Sequence, residues 1–351
     1  MKKNFLFTAL MFLMLVVLTA CADEGGEGGV ATNNDDGGDG EGGSITVYSP
    51  ETPEFTQELA NKFEELHGIN VNVHYAGTNV LVNQMMAEQG NPQADVWYGG
   101  GGILPFEAAV EQGLLEQYTP EAAEDWEVVQ DGIKYKHEDG YYTGVELFVL
   151  GFAYNPDNFS EDEVPNSWDE LLDPEWENGL QFPNPAASGT ATLMVMDQMM
   201  RQGEDSAWEY FDTLVEHANS IPDSGSSPTS AVSLGETDIG IGFDFMAYEQ
   251  QSNGESVDFI IPDLTPVIAN PAALVADSPN PDGGKLFIDF MLSDEAQQII
   301  ADWQHLPISE NVESQTPLDL ETAKEHAVEL DIDWVNENYD RVRDEWRNRY
   351  Q

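Results

Sequence analysis

The residues of this 351-residue chain whose types suit chemistry fall in a few short stretches rich in Gly, Ser and Thr. Ser188-Gly189-Thr190 opens a segment rich in Leu and Met that reads as a helix. A helix N-terminus presents unbonded N–H groups and the positive end of the helix dipole, which together suit an anion. Two hydroxyls flank a glycine there, and the glycine lets a ligand come close to the backbone. Ordinary N-capping by Ser188 or Thr190 is the competing role, and the two are compatible. Ser49, Thr78 and the run Tyr98-Gly99-Gly100-Gly101-Gly102 are further candidate donors. Asp244 lies between Phe243 and Phe245, where its carboxylate could accept hydrogen bonds from a ligand amine or hydroxyl, or could cap a nearby helix. An anion grip plus a carboxylate suits a zwitterion such as an aminoalkylphosphonate, or a hydroxylated organophosphate. None of the 12 Lys and Arg residues falls in these loops, so such a grip would rest on neutral donors.

Several other chemistries find no support. Gly99 to Gly102 is not followed by the G-K-[ST] of a phosphate-binding P-loop. The six His show no metal-ligand spacing, so no metal or cofactor is expected. There is no G-x-S-x-G nucleophile elbow, and a secreted hydrolase is the runner-up class only. With 66 Asp and Glu against 12 Lys and Arg, the formal charge is −54. Two acids will often lie close by chance in such a chain, so acid pairs argue for neither a glycosidase nor a metal site. A surface of this sign excludes nucleic acid as partner. It also repels itself in dilute buffer. Molar salt shortens the screening length to ~3 Å and relieves that repulsion, so a saline or alkaline habitat is expected.

These residues need elements to hold them. Lys2 and Lys3 precede an uncharged run from Phe5 to Ala20, too short for the ~20 residues of a membrane span and typical of a secretory leader. It ends in Leu18-Thr19-Ala20-Cys21, which resembles the bacterial lipobox. That resemblance implies cleavage before Cys21, the sole cysteine, and lipid attachment to its thiol. Residues 21–43 are Gly, Asp, Glu and Asn with hardly an apolar side chain, a self-repelling tether. From Ser44 the pattern repeats strand, loop, helix three times, indicating a parallel α/β sheet. Ligands bind beyond the carboxyl ends of such strands, which directs attention to Ser49-Pro50-Glu51, Gly77-Thr78-Asn79 and Tyr98 to Gly101. Val145–Tyr154 reads as an apolar strand opening a second lobe, Ser167-Trp168 as a capped helix start, and Leu286–Ile300 as one long amphipathic helix. Ser224 to Ser227, with Gly225 among them, reads as a surface turn, with a loop that reaches the ligand as the alternative. The last helix carries Arg341, Arg343, Arg347 and Arg349, expected to pair with acids on the surface.

Taken in order, several segments resemble the extracellular solute-binding proteins of ABC importers, in the branch that includes ferric-iron and aminoethylphosphonate binders. They are Ile45-Thr46-Val47-Tyr48-Ser49, Ala94 to Gly101, Pro165-Asn166-Ser167-Trp168-Asp169-Glu170-Leu171, Ser188-Gly189-Thr190-Ala191 and Asn280-Pro281 through Ser293. The resemblance implies a periplasmic-binding-protein-like α/β fold of two lobes closing on a ligand. It also implies a permease and its ATPase as partners, no enzymatic activity, and a monomer. The expected organisation is a leader over 1–20, the tether over 21–43, and lobe I over 44–146 with a return segment at 265–305. Lobe II is expected over 147–264 with the C-terminal helices of 306–351. Iron binders of the branch use two adjacent tyrosines at a strand end where this chain has Gly242-Phe243-Asp244-Phe245. The resemblance therefore implies a phosphonate, organophosphate or similar anion. Ferric ion held by Asp244, Tyr98, Glu51 and a bound anion is the alternative.

Overall fold

The computed structural model describes residues 43–351; the leader, Cys21 and the tether up to residue 42 lie outside the described residues. Three strand–helix units come first. β1 (Ser44–Ser49) leads into α1 (Pro53–His67), β2 (Asn70–Tyr75) into α2 (Thr78–Ala87), and β3 (Val96–Tyr98) into α3 (Leu104–Glu111). Pro53 occupies the first turn of α1, where a missing N–H costs nothing. Phe55, Leu59 and Phe63 bury one stripe of α1, and Gly68, in the left-handed region at φ 68°, stops it. β1 pairs in parallel with both β2 and β3. Parallel pairing brings the carboxyl ends of all three strands to one edge, so the loops after them become neighbours.

Short strands β4 (Leu115–Glu116), β5 (Val129–Gln130) and β6 (Ile133–Lys134) precede β7 (Thr143–Tyr154), all twelve residues of which are buried. Next come β8 (Leu180–Gln181), α4 (Gly189–Gln202), α5 (Glu204–His217), β9 (Ala218–Ser220), α6 (Ser227–Ser233), β10 (Ile239–Phe243), α7 (Asp244–Ser252) and β11 (Asp258–Ile260). The chain returns through β12 (Val267–Val275), α8 (Pro281–Met291), α9 (Asp294–Asp302) and β13 (Leu306–Pro307). It closes with α10 (Leu320–His326) and α11 (Ile332–Tyr350).

The main sheet runs β2-β1-β3-β12-β7-β10-β8-β9. Its outer strands pair in parallel, while β7 and β12 enter antiparallel. The first part of β7, up to Val149, pairs with β12; the rest, from Leu150, pairs with β10 and β11. One continuous strand thus belongs to both halves of this mixed α/β fold. A register shift in the β12–β7 ladder falls at Asn270/Pro271, where the proline has no N–H to give.

Helices cover both sides. Ile45, Phe63, Phe287 and Phe290 belong to one apolar cluster; Phe152, Phe182, Phe211 and Trp346 belong to another. Leu318 and Ala323 pack in a third, with Ile133 and Tyr135, whereas α11 packs with α4 and α5 through Val342 and Trp346. Two sequence expectations need correction. Leu286–Ile300 is two helices, because Ser293 breaks the run and its Oγ accepts from the Ala296 N–H to cap α9. After Ser167-Trp168 the chain makes only a 3₁₀ turn, Asp169–Leu172, ended by Asp173-Pro174.

Candidate ligand-binding site

The three loops at the carboxyl edge of β1, β2 and β3 are tied to one another. The Glu51 N–H donates to Ser49 Oγ at 3.2 Å, the Gly100 N–H donates to Glu51 Oε1 at 3.1 Å, and the Thr78 hydroxyl donates to the Gly100 carbonyl at 3.3 Å. Gly99 has φ 79°, and a Cβ there would stand 2.3 Å from Glu51 Oε1. The loop therefore requires glycine on two counts, backbone conformation and space. Beneath it Trp97 and Phe106 stack with centroids 3.8 Å apart.

These loops form one wall of a cavity of about 670 Å³. Gly77, Thr78, Asn79 and Gly100 line it from the β2 and β3 loops, with Leu104 and Ala108 of α3 as an apolar flank. Ala187 and Gly189, at the start of α4, face them. The remaining wall is α11, through Asn336, Tyr339, Asp340 and Arg343. Both α2 and α4 point their N-termini at this space. Neither has a side-chain cap: Gly77 has no side chain to offer and the Ser188 side chain makes no capping bond. Their first N–H groups are thus left for water or a ligand.

The expected site residues divide into three sets. Thr78, Gly100 and Gly189 meet in the cavity, and Gly99 shapes its edge. Ser188 and Thr190 stand just behind Gly189. A Cβ on Gly225 would lie 3.2 Å from Ser188 Oγ and 3.3 Å from Thr190 Oγ1, so the 224–227 turn is packed against the start of α4. Ser49, Tyr98 and Asp244 are interior. Ser49 is fully buried, Tyr98 donates its hydroxyl to Glu146 Oε1 at 2.8 Å, and Asp244 Oδ1 accepts from the Val149 N–H at 2.8 Å. Asp244 thereby ties α7 to the strand shared by both halves, and burial pushes its carboxyl up to about 7.

Behind the loop wall lies a polar cluster that sequence reasoning missed. Glu146 Oε1 accepts from Tyr98 and from Asn270 Nδ2 (2.7 Å), and Glu146 Oε2 meets His305 Nδ1 at 2.7 Å. Asn270 Nδ2 also reaches Glu51 Oε1 at 3.0 Å, and Asn270 Oδ1 accepts from the Gly102 N–H. Asn270 lies opposite Glu146 in the β12–β7 ladder, at the last pair before the register shift. Burial, then the Glu146 charge, raises Glu51 to about 7. Burial alone would lower His305, but Glu146, Glu51 and Asp244 outweigh it and raise its pKa. The signal was visible: Glu146 is a lone charge in the apolar run Val145–Tyr154.

The second omission is Arg343. Arg341, Arg347 and Arg349 pair with surface acids as expected. Arg343 instead lines the cavity, with its guanidinium 5.4 Å over the Tyr339 ring. A periodicity of 336, 339/340 and 343 on a helix whose other stripe is Val335, Val342 and Trp346 would have marked it.

The family model for bacterial extracellular solute-binding proteins matches residues 105–334. This chain belongs to that family. Over 272 residues it is 27% identical to a protein of Salmonella paratyphi A named as a putative 2-aminoethylphosphonate-binding periplasmic protein, covering 74% of this chain and 76% of the relative. The periplasmic binding protein AfuA of Actinobacillus pleuropneumoniae, solved with exogenous fructose-6-phosphate, superposes with a TM-score of 0.73 at 27% identity, over 87% of this chain and 98% of that one. Iron-bound HitA of Pseudomonas aeruginosa superposes at 0.74 with 22% identity, over 86% and 99%, and shows the shared two-lobed fold. As a solute-binding protein of the kind that serves ABC import, the chain has a family role of capture, not turnover. Among the described residues no helix is long and apolar enough to cross a membrane.

Proposed function

We propose that this solute-binding protein captures a small organic phosphate or phosphonate between its two lobes and passes it to an ABC permease. One observation carries the reading: the uncapped N-termini of α2 and α4 face a single cavity from opposite walls. Each end favours negative charge, and a tetrahedral anion can accept from several N–H groups at once. Thr78 lies in that cavity, and the apolar flank of α3 is left for a carbon skeleton. The Salmonella relative and AfuA, by their names and bound ligand, support a phosphorus-bearing class. Extracytoplasmic anchoring through a lipid on Cys21 belongs to the same reading, since a receptor for a permease works best held near it.

The test is thermal unfolding in high-salt buffer against 2-aminoethylphosphonate, fructose 6-phosphate, inorganic phosphate, fructose and ferric citrate. A ligand that binds only the folded chain adds ~2.7 kcal/mol of stability at a hundredfold excess over its dissociation constant. Stabilisation by the phosphorus compounds and not by fructose is the expected result. Stabilisation by ferric citrate alone would replace the reading with an iron site built from other oxygens.

A further inference from the structure

Seven of the ten Lys and Arg residues among the described residues hold a carboxylate within 4.0 Å. In a chain carrying −54, that is what crowding by acids should produce. Lys136, Lys285 and Arg343 are the exceptions. Lys136 donates to the Ala123 and Glu124 carbonyls, and Lys285 lies over the Tyr118 ring. Only Arg343 lines the cavity between α2 and α4. One of its Nη groups donates to the Ala186 carbonyl at 2.8 Å, in the turn just before α4. Its Nε is buried without a hydrogen-bond partner, and Nη1 makes no hydrogen bond to the described residues. The guanidinium carbon lies 5.4 Å from the centroid of the Tyr339 ring, within cation–π range.

Resting on the anion reading above, we propose that Arg343, brought in by the C-terminal helix, is the residue that reads the charge of the ligand's phosphoryl or phosphonate group. A guanidinium presents a planar fork of donors matched to two oxygens of such a group. The two helix ends offer only partial charges and accept any small anion. A full cation with unused donors separates a dianion from a monoanion or a neutral sugar. The bond to Ala186 holds the fork beside the start of α4, so the cation and the helix end act on the same space. Nη1, which makes no hydrogen bond to the described residues, is the donor left for a bound oxygen.

The experiment is calorimetric titration of wild type, Arg343→Gln and Arg343→Lys with fructose 6-phosphate, 2-aminoethylphosphonate and fructose from pH 5 to 8. Circular dichroism of each unliganded variant checks its fold. Wild type should lose affinity for the sugar phosphate as the monoester is protonated near pH ~6. Arg343→Gln keeps a donor for Ala186, and should weaken both phosphorus ligands roughly ten- to hundredfold and flatten that pH dependence. Arg343→Lys keeps the charge without the fork and should fall between. Unchanged affinity in Arg343→Gln would overturn the assignment while leaving the anion reading intact. So would weaker binding with the wild-type pH profile, which would mark a merely structural arginine. Absence of binding in the wild type would remove the anion reading and this assignment with it.

Discussion

Replacing Glu51 by Gln tests the polar cluster behind the ligand loops. The carboxyl is raised from 4.5 to about 7, first by burial and then by Glu146. A raised acid binds its proton more tightly folded than unfolded, so its stabilising share is complete below pH 4.5 and is lost as pH rises through 7. At about 1.4 kcal/mol per pH unit over that interval, ionisation withdraws on the order of 3 kcal/mol by pH 8, most of it above pH 5. Gln has the same shape, cannot ionise, and keeps an Oε1 to accept from Gly100 and Asn270. Part of the gain is returned because His305 loses one of its three carboxylate neighbours. The expected result is a variant close to wild type at pH 5 and about 2 kcal/mol more stable at pH 8. Urea unfolding followed by tryptophan fluorescence in about 1 M NaCl, where surface charges are screened, measures it. Parallel stability–pH curves, or a variant less stable at pH 8, would refute the assignment of a strained carboxylate at this position.

Two more outcomes follow from the same geometry. Gly225→Ala places a methyl 3.2–3.3 Å from Ser188 Oγ and Thr190 Oγ1, so both hydroxyls must shift by a few tenths of an ångström. Fructose 6-phosphate affinity should fall about tenfold with little change in unliganded stability, by the loss of one good hydrogen bond; equal affinity by calorimetry would exclude those hydroxyls from the site. Stability of the wild type should rise between 0.1 and 1 M NaCl as the Debye length falls from ~10 to ~3 Å, and a midpoint independent of salt would show that the acidic surface is not under net repulsion.

Much of the fold was legible because it rests on local pattern. Thr52-Pro53 starts α1, the 55/59/63 stripe gives its buried face, and the apolar run after Thr143 is the buried strand β7. Thr78 and Gly100 come together at the cavity because loops at the carboxyl ends of parallel strands must share an edge, a consequence of strand order that the sequence pattern carries. The sequence leaves Asp244 a choice between a ligand contact and a helix cap, whereas its carboxylate bonds the Val149 N–H, 95 residues away in the chain. A choice between solvent and a distant backbone group leaves no trace in the neighbours Phe243 and Phe245. By composition Arg343 is indistinguishable from three arginines of the same helix that do pair with acids. Its separate role depends on which stripe of α11 meets α4 and α3, and charge composition carries no record of that.

Sequence alone determined the alternation of strands and helices, the glycine loops that must lie at the sheet edge, and the excess of acid that dictates how the surface meets salt. Each follows from residue periodicity or composition, which are short-range or additive properties. Tertiary structure alone decided that the uncapped ends of α2 and α4 face one cavity, and that Glu51, Glu146, Asn270 and His305 close a network behind it. It also decided that the C-terminal helix brings a cation free of carboxylate partners to the same place. These depend on contacts between residues more than a hundred positions apart, set by how β7 and β12 cross and by how α11 packs against α4.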